Sequence, residues 1–335
     1  MRILVAESKD FSARAVDILE RIGEVTLADL DQHGLEAGIG DADVVFVRLR
    51  NRIDDAVLGA HPGLQAVVSP TTGLDHVDLA AADAQGTAVL SLRGETDFLE
   101  TVTATAEHTW ALLLALVRRI PAATQAGRRG DWDRDRYRGR ELAGKTLGIL
   151  GLGRLGRMVA RYGDAFGMHV LAYDPYRDPW PDGVTRAPSL TVLADRSDVL
   201  SVHVPLNDET RGMVDAKVLG RLERTSVLIN TSRGGIVDEA ALLDALASGA
   251  LAGAAVDVVD GETGPGGAAA SPVVAYAAHH PELLVTPHVG GATLESMENT
   301  EIFMARKLAS WCRGVPVRVD AGPERYRPSI PRFEP

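Results

Sequence analysis

Three ionisable residues in the last third of the chain could together carry out chemistry on a carbonyl group: Arg233, Glu262 and His288. Each follows a short apolar run of the kind that forms a buried strand of a parallel sheet. In such sheets ligands bind beyond the carboxyl ends of the strands, so we expect the three side chains to meet at one site.

The three side chains have complementary chemistry. A guanidinium such as that of Arg233 can hold a substrate carboxylate through two parallel hydrogen bonds and polarise the neighbouring carbonyl. An imidazolium such as that of His288 can donate the proton that a developing alkoxide needs. A carboxylate such as that of Glu262, bonded to the other ring nitrogen, stabilises the imidazolium. The set therefore predicts hydride transfer to a carbonyl, with these three residues as the catalytic ones.

Hydride transfer needs a cofactor, and a glycine motif earlier in the chain indicates which one. Gly151, Gly153 and Gly156 have G-x-G-x-x-G spacing between an apolar run and a predicted helix. Gly151 allows a tight turn, Gly153 lets the backbone approach a pyrophosphate, and Gly156 lets the helix pack closely on the strand. The helix N-terminus offers unpaired N–H groups to the phosphates. The motif predicts dinucleotide binding.

Asp174 identifies the dinucleotide. It ends the next apolar run, about 20 residues beyond the glycines, where such folds hydrogen-bond the adenosine ribose. An acid at this position repels the 2′-phosphate of NADP, so we expect NAD. Further strand-end residues are expected at the cofactor, namely His203, Val204, Pro205, Thr231, Ser232 and Gly290.

Alternating strand and helix signals run through most of the chain and predict an α/β fold. A long apolar helix is predicted from Thr101 to Ile120. The predicted strands are Ile3–Ala6, Val44–Val47, Ala66–Val68, Ala88–Leu90, 146–150, Met168–Tyr173, Asp198–Val204, Ser226–Asn230, Gly253–Val258 and Leu283–Thr286.

Composition excludes several classes of protein. The 335 residues leave room for two domains, and 45% hydrophobic with 24% charged residues is typical of a soluble globular protein. A net charge of -11 argues against binding to nucleic acid or anionic membranes. The single cysteine, Cys312, and the lack of a predicted signal or membrane segment favour a cytoplasmic protein. No metal-ligand spacing is present, and we expect no metal.

These motifs together resemble those of the D-isomer-specific 2-hydroxyacid dehydrogenases, and the sequence is D-3-phosphoglycerate dehydrogenase-like within that family. The resemblance covers nearly the whole chain. It rests on Gly151-x-Gly153-x-x-Gly156, His203-Val204-Pro205-Leu206, Asn230-Thr231-Ser232-Arg233-Gly234-Gly235, Asp257-Val258 with Glu262, and Thr286-Pro287-His288-x-Gly290-Gly291.

The resemblance implies a fold of two Rossmann-like or flavodoxin-like doubly wound parallel-sheet domains with a cleft between them. Residues 1–98 plus 290–335 would form the substrate-binding domain, and residues 99–289 the NAD-binding Rossmann domain. The family is usually dimeric, so a homodimer is expected, and the long apolar helix would suit its interface.

The resemblance also implies roles for individual residues. Arg233, Glu262 and His288 match the family's catalytic set, and Asp257 matches its contact to the nicotinamide carboxamide. The backbone at Arg154 and Leu155 would hold the pyrophosphate. The turn Thr71-Thr72-Gly73-Leu74-Asp75-His76-Val77-Asp78 matches a family turn that binds the substrate carboxylate, and the contact is assigned to Thr72 and Gly73.

Two positions have open interpretations. Arg48 or Arg50, after a predicted strand, could bind a second anionic group of the substrate, or both could be solvated surface residues. His108, in the long helix, is expected to be structural. Three departures from the family pattern bear on the site. Thr263 follows Glu262 where the family usually has proline, and the loop before His288 is long and glycine-rich, with glycine and alanine concentrated from Gly261 to Ser271. The segment Leu92–Glu100 is longer and more acidic than the usual family linker.

The sequence thus predicts an NAD-dependent oxidoreductase that interconverts a small 2-oxo acid and a D-2-hydroxy acid. The alternatives are an NAD(H)-sensing, corepressor-like binding protein and a reductase of a phosphorylated or phosphonate 2-oxo acid. A relative that oxidises formate or phosphite is disfavoured. Formate-type enzymes usually pair the histidine with glutamine, whereas this chain has Glu262. The phosphite type has a lysine near the first-domain turn, where this chain has Thr71 and Thr72.

Overall fold

The computed structural model describes residues 1–263 and 267–320. The chain forms two compact units, one of Met1–Leu99 with the C-terminal segment from Leu294, and one of Glu100–Thr293. The boundaries expected from the sequence stood after residues 98 and 289. Residues 321–335, which were assigned to the expected substrate-binding domain, lie outside the described residues.

The strands are short and follow the apolar runs of the sequence. In chain order they are β1 (Arg2–Val5), β2 (Glu24–Leu27), β3 (Val44–Phe46), β4 (Ala66–Val68), β5 (Ala88–Leu90), β6 (Thr146–Leu150), β7 (His169–Tyr173), β8 (Thr185–Arg186), β9 (Val199–Val202), β10 (Val227–Asn230), β11 (Gly253–Val256) and β12 (Leu283–Val285).

The helices alternate with the strands. They are α1 (Ala13–Leu19), α2 (Gln32–Gly38), α3 (Asp55–Ala60), α4 (Leu79–Gln85), α5 (Thr96–Leu99), α6 (Ala104–Val117), α7 (Ile120–Arg128), α8 (Arg154–Ala165), α9 (Leu190–Asp195), α10 (Ala216–Leu219), α11 (Glu239–Ala247), α12 (Pro272–Ala277) and α13 (Leu294–Cys312). Short 3₁₀ turns occur at Arg134–Tyr137, Gly234–Ile236 and Gly267–Ala270.

The first unit is built on a five-stranded parallel sheet of order β2-β1-β3-β4-β5, the flavodoxin-like order. Its central strands β3 and β4 are fully buried, so helices cover both faces. On one face α13 contributes Met304, Ala305 and Leu308 to a core with α1. The C-terminal helix is therefore an integral part of this unit.

The second unit is built on a seven-stranded parallel sheet of order β12-β11-β10-β9-β6-β7-β8. The chain moves outward from β6 through β7 to β8, then returns to β9 on the other side of β6. This reversal makes β6 the topological switch point, where doubly wound sheets bind ligands. The two parallel sheets confirm the predicted α/β class of doubly wound domains.

Two local differences from the sequence prediction have physical causes. The predicted Thr101–Ile120 helix is α6 followed directly by α7, because Arg119 adopts a left-handed backbone with φ of 53°. Pro121 lies in the first turn of α7, where its missing N–H needs no partner. The edge strand β2 was not predicted, because its side chains are mostly exposed and form no apolar run.

The described residues contain neither a membrane-spanning helix nor a cluster of metal-binding side chains. Within 1–263 and 267–320, no helix is both long and apolar enough to cross a membrane. The same ranges contain no group of three or more histidine, cysteine, aspartate or glutamate side chains that could hold a metal ion.

Candidate active site

The glycine-rich turn lies between β6 and α8, at the switch point of the second sheet. Gly151 has φ of 89°, a conformation that favours glycine. A Cβ at position 156 would lie 2.1 Å from the carbonyl oxygen of Gly151, so α8 packs against the turn only with glycine there. At Gly153 a Cβ would meet nothing within 4 Å, which leaves open space beside the helix N-terminus. The turn therefore has the shape that a pyrophosphate requires.

The N-terminus of α8 follows the glycine-rich turn directly. Within the described part of the chain, no side chain caps this helix at Gly153. The Arg154 side chain turns back to donate to the carbonyl of Val102 at 2.6 Å, and burial lowers the pKa of Arg154. The guanidinium is thus directed to Val102, and contact of the Arg154 and Leu155 backbone with a pyrophosphate remains a prediction.

Asp174 follows β7 and lies against the glycine-rich turn. Its Oδ2 accepts the N–H of Leu152 at 2.8 Å, and its Oδ1 accepts the N–H of Tyr176 at 3.0 Å. The carboxylate therefore sits beside the glycine-rich turn, as a ribose-binding acid does in dinucleotide folds. These residues fit NAD.

His203, after β9, is held as a neutral imidazole. Its Nε2 lies 2.8 Å from the hydroxyl of Ser201, and burial lowers its pKa to about 4. Its Nδ1 is buried and has no hydrogen-bond partner among the residues described here. A neutral ring with one unused nitrogen suits contact with an uncharged part of a cofactor. Ser232 donates to the carbonyl of the neighbouring Val204.

The buried amide of Asn230 shapes the turn that carries Arg233. Its Oδ1 accepts the N–H of Ser232 at 3.0 Å, and its Nδ2 donates to the carbonyl of Arg233 at 2.9 Å. A Cβ at the next residue, Gly234, would lie 2.1 Å from the backbone nitrogen of Asp260. The Arg233 turn therefore packs directly against the segment that leads to Glu262.

Glu262 and His288 form the ion-pair geometry that the sequence predicted for an acid–base pair. Glu262 Oε1 lies 2.5 Å from His288 Nδ1, and both side chains are mostly buried. Because Nδ1 faces the carboxylate, Nε2 is the ring nitrogen left to face a substrate. Thr263, in place of the family's usual proline, does not prevent this contact.

The backbone of His288 is strained. Its φ is 53°, which is uncommon for a residue other than glycine. Its N–H donates to the carbonyls of Asp257 at 2.8 Å and Thr286 at 3.0 Å. Such strain persists only where the surroundings hold it, and it occurs often at active sites.

The carboxylate of Asp257, after β11, holds this loop. Its Oδ1 accepts from Thr286 Oγ1 at 2.6 Å and from the N–H of Val289 at 2.9 Å, and its Oδ2 accepts the N–H of Gly290 at 2.7 Å. Burial alone would raise the pKa of Asp257, but these hydrogen bonds and one from His108 outweigh it and lower the pKa. A Cβ at Gly290 would lie 2.9 Å from Oδ2, so a larger residue there would press on the carboxylate.

Sequence reasoning did not place His108 at this site. Its Nε2 lies 3.0 Å from Thr286 Oγ1 and 3.2 Å from Asp257 Oδ1. The only sequence signal is a polar residue within the apolar helix α6. Nearby, Thr231 donates to Thr109 of the same helix, whose own hydroxyl donates to the carbonyl of Thr105.

In the first unit, a chain of hydrogen bonds fixes the turn that contains Thr72 and Gly73. Thr71 Oγ1 donates to the carbonyl of Gly73 at 2.7 Å, so the hydroxyl of Ser69, 2.9 Å away, must donate to Thr71. The Nε2 of buried His76, 3.1 Å from Ser69, is then the donor to that hydroxyl. The turn is therefore pre-organised, which a backbone anion site requires.

Arg48 and Arg50 each have a partner within the first unit. Arg48 pairs with Glu301 and donates to the carbonyl of Lys9 at 3.0 Å, and the Glu301 side chain is 1% exposed. Arg50 pairs with Asp29 at 2.5 Å, with both side chains nearly half exposed. Each guanidinium is thus paired with an acid, and contact of either arginine with substrate remains a prediction.

Comparison with known proteins identifies the family. Residues 110–290 match the model of the D-isomer-specific 2-hydroxyacid dehydrogenase NAD-binding domain. The chain is 38% identical over 301 residues to a D-3-phosphoglycerate dehydrogenase of Mycobacterium bovis, covering 87% of this chain and 54% of that protein. It is 40% identical over 260 residues to a glycerate dehydrogenase of Methylorubrum extorquens, covering 73% of this chain and 78% of that protein.

Solved structures agree. The fold is similar to that of D-lactate dehydrogenase from Aquifex aeolicus complexed with NAD and lactic acid, with a TM-score of 0.82 and 27% identity. The similarity covers 94% of this chain and 96% of that one. The chain therefore belongs to the D-isomer-specific 2-hydroxyacid dehydrogenase family and contains its NAD-binding domain. It spans about half the length of the D-3-phosphoglycerate dehydrogenases that it matches.

Replacing Asp174 tests the ribose contact. Asp174→Asn removes the negative charge but keeps one oxygen to accept an N–H of the turn. We expect the ratio of Kd for NADPH to Kd for NADH to fall about tenfold, because the repulsion of a 2′-phosphate is lost. Fluorescence titration with both nucleotides measures this ratio. The exposed neighbour Asp178, changed to Asn, serves as the control, and an unchanged ratio in Asp174→Asn would show that the contact is misassigned.

Replacing Arg48 tests whether it is structural. Arg48→Gln leaves the carboxyl of Glu301 buried without its cation, so we expect a loss of about 3 kcal/mol in unfolding free energy at pH 8. Burial already raises the pKa of Glu301, and losing Arg48 raises it further. A buried acid with a raised pKa destabilises the fold once it must ionise, so the loss should shrink as the pH falls towards 5.

Urea unfolding of Arg48→Gln at both pH values measures this loss. Arg50→Gln is the matched control, and we expect little change because its pair with Asp29 is exposed. Equal stability of the two variants at pH 8 would contradict a structural role for Arg48.

Proposed function

We propose that the chain is an NAD-dependent D-2-hydroxyacid dehydrogenase that interconverts a small 2-oxo acid and a D-2-hydroxy acid. The observation that carries this proposal is the pair of Glu262 Oε1 and His288 Nδ1 at 2.5 Å. It lies at the carboxyl edge of the sheet that also carries the NAD motif. Family membership supports the same reaction.

Each catalytic residue has a defined task. NAD(H), when bound, would provide the hydride donor or acceptor for C2 of the substrate. Arg233 binds the substrate carboxylate and polarises the adjacent carbonyl. In the reductive direction His288 gives a proton from Nε2 to the C2 oxygen, and in the oxidative direction it takes that proton back. Glu262 accepts the Nδ1–H bond and stabilises the imidazolium.

The buried carboxylate of Asp257 supports a contact with the nicotinamide carboxamide through one particular oxygen. Among the described residues, Oδ1 already has Thr286, Val289 and His108 as donors, whereas Oδ2 has only Gly290. We therefore assign the carboxamide N–H to Oδ2.

The remaining binding assignments follow the sequence prediction. The backbone at Arg154 and Leu155 holds the pyrophosphate, and Asp174 holds the ribose. The backbone N–H groups of Thr72 and Gly73 bind a substrate carboxylate. The other residues proposed to line the cofactor are Gly151, Gly153, Gly156, His203, Val204, Pro205, Thr231, Ser232 and Gly290.

The ion pairs of Arg48 with Glu301 and of Arg50 with Asp29 favour an unphosphorylated substrate. Each guanidinium is already neutralised by an acid, so neither supplies a spare charge for a phosphate group. The relatives named above act on glycerate, 3-phosphoglycerate and lactate skeletons, all of three carbons. We therefore propose a three-carbon 2-oxo acid such as hydroxypyruvate.

NADH oxidation with a panel of acids tests the proposal. The panel contains glyoxylate, pyruvate, hydroxypyruvate, 3-phosphohydroxypyruvate and a phosphonate analogue. We expect the highest kcat/KM with an unphosphorylated three-carbon acid. A preference for the phosphorylated or phosphonate acid would reassign the substrate. Tight NADH binding without turnover on any acid would support the NAD(H)-sensing alternative instead.

The His288 assignment has its own test. In His288→Asn we expect kcat to fall about a thousandfold, because a positioned general acid contributes on that order. NADH binding, measured by fluorescence, should stay close to that of the unmodified chain, since no role in cofactor affinity is assigned to this ring. A comparable loss of turnover and NADH affinity would refute the role of proton donor.

We further propose a homodimer, as the family resemblance implies. Most apolar side chains of α6 are buried in the core of their own unit, including Trp110, Leu112 and Leu113. An interface in this region would therefore use side chains beyond α6, and Trp132, at 86% exposed, is the largest apolar one available there.

A further inference from the structure

The loop from Thr286 to Gly290 is tied to one carboxylate on both sides of His288. Asp257 accepts from the side chain of Thr286, two residues before the histidine, and from the N–H groups of Val289 and Gly290 just after it. Asp257 is 1% exposed, so these bonds do not compete with bulk water. The position of the His288 ring therefore depends on how rigidly Asp257 and Thr286 are held.

The hydrogen atoms in this cluster can be assigned from the distances. The pKa of Asp257 is lowered, so its carboxylate is ionised at neutral pH and can only accept. Thr286 Oγ1, 2.6 Å from Asp257 Oδ1, must therefore donate its single hydrogen to that oxygen. His108 Nε2 lies 3.0 Å from the same hydroxyl oxygen, which can therefore only accept a hydrogen bond from the ring.

Nε2 of His108 must consequently carry a hydrogen. That hydrogen points at Thr286 Oγ1 and at Asp257 Oδ1, which lies 3.2 Å from Nε2. One N–H group thus contacts both side chains that hold the loop. No other side chain among the described residues forms a hydrogen bond with both of them.

His108 is itself well anchored. It belongs to α6, whose neighbours Trp110, Leu112 and Leu113 are buried in the core of the same unit. The His108 side chain is only 20% exposed, and it reaches the loop across a sequence separation of 178 residues. Because its donor lies on a packed helix, the hydrogen bond from His108 restricts movement of the strained loop.

We propose that His108 is a positioning residue for the acid–base histidine. Through its Nε2–H bonds to Thr286 and Asp257, it keeps the 286–290 loop in the conformation that holds His288 at positive φ. The consequence for catalysis rests on the proposed function, whereas the consequence for the loop does not. Loss of the N–H should lower kcat more than it changes substrate or cofactor affinity, because His108 contacts Asp257 through Oδ1, whereas the carboxamide is assigned to Oδ2.

Two substitutions at position 108 separate the N–H group from the shape of the ring. His108→Phe keeps a planar ring but loses the donor. His108→Gln places an amide N–H at a similar reach and should restore it. Thr286→Val removes the hydroxyl from the other side of the same contact, and its effect should not add to that of His108→Phe, because both act through one network.

Hydrogen exchange of the Val289 and Gly290 amides is the first readout, because it needs no turnover. We expect protection of these amides to fall about tenfold in His108→Phe, and to be retained in His108→Gln. Unchanged protection in both His108→Phe and Thr286→Val would overturn the proposal, whatever the activity of the chain. Two variants are used so that a folding defect in one leaves the other decisive.

Steady-state kinetics is the second readout. We expect kcat of His108→Phe to fall about tenfold, with KM for the 2-oxo acid and Kd for NADH nearly unchanged, and kcat of His108→Gln to recover. Equal impairment of Phe and Gln variants, or a parallel loss of NADH binding, would overturn the positioning role. Absence of turnover in the unmodified chain would reject the proposed function instead, and the exchange data would still decide whether His108 holds the loop.

Discussion

The site of the second unit depends on the hydrogen bonds to the buried carboxylate of Asp257. An ionised group at 1% exposure is tolerated only when hydrogen bonds replace its hydration. The 286–290 loop supplies those bonds, with two backbone N–H groups and one hydroxyl. The need to satisfy the charge thus selects the loop conformation, and that conformation includes the strained backbone of His288. The strain is offset by bonds that the carboxylate would otherwise lack.

Close backbone approach is the second constraint, and glycine makes it possible. At Gly156 the helix α8 touches the turn after β6, which brings an uncapped helix N-terminus to the switch point of the sheet. At Gly234 the turn after β10 touches the segment after β11. The first approach creates the place where an anionic cofactor fits, and the second links the Arg233 turn to the segment that carries Glu262.

The sequence predicts most of the buried strands and the residues that follow them, because buried parallel strands appear in the sequence as short apolar runs. The strands β4 and β5 coincide with the apolar runs Ala66–Val68 and Ala88–Leu90, and the pair of Glu262 and His288 follows from strand-end placement. The edge strand β2 has no such signal, because exposed side chains impose no pattern. The ion pair of Arg48 and Glu301 joins residues 253 apart, and no local pattern in the sequence links the two.

The contacts of His108 are a second example of long-range contacts that no local sequence pattern predicts. Its contacts with Asp257 and Thr286 arise only once a helix from before the sheet packs beneath the last strands. From sequence, a polar residue in an apolar helix indicates a buried hydrogen bond but not its partner. Long-range polar contacts of this kind are set by packing, whereas the periodicity of a strand or helix is local.

The order of the strands explains how residues far apart in the sequence meet at one edge of the sheet. The strands β10, β11 and β12 are neighbours, so Arg233, Glu262 and His288 follow adjacent strands in the order in which they occur in the chain. The position of Glu262 is set from its N-terminal side, by the close approach of Gly234 to residues 259–260. The position of His288 is set after it, by the pairing of Ala254 with Leu283 and by Asp257. Neither anchor involves the residue after Glu262, which accounts for the contact of Glu262 with His288 despite Thr263.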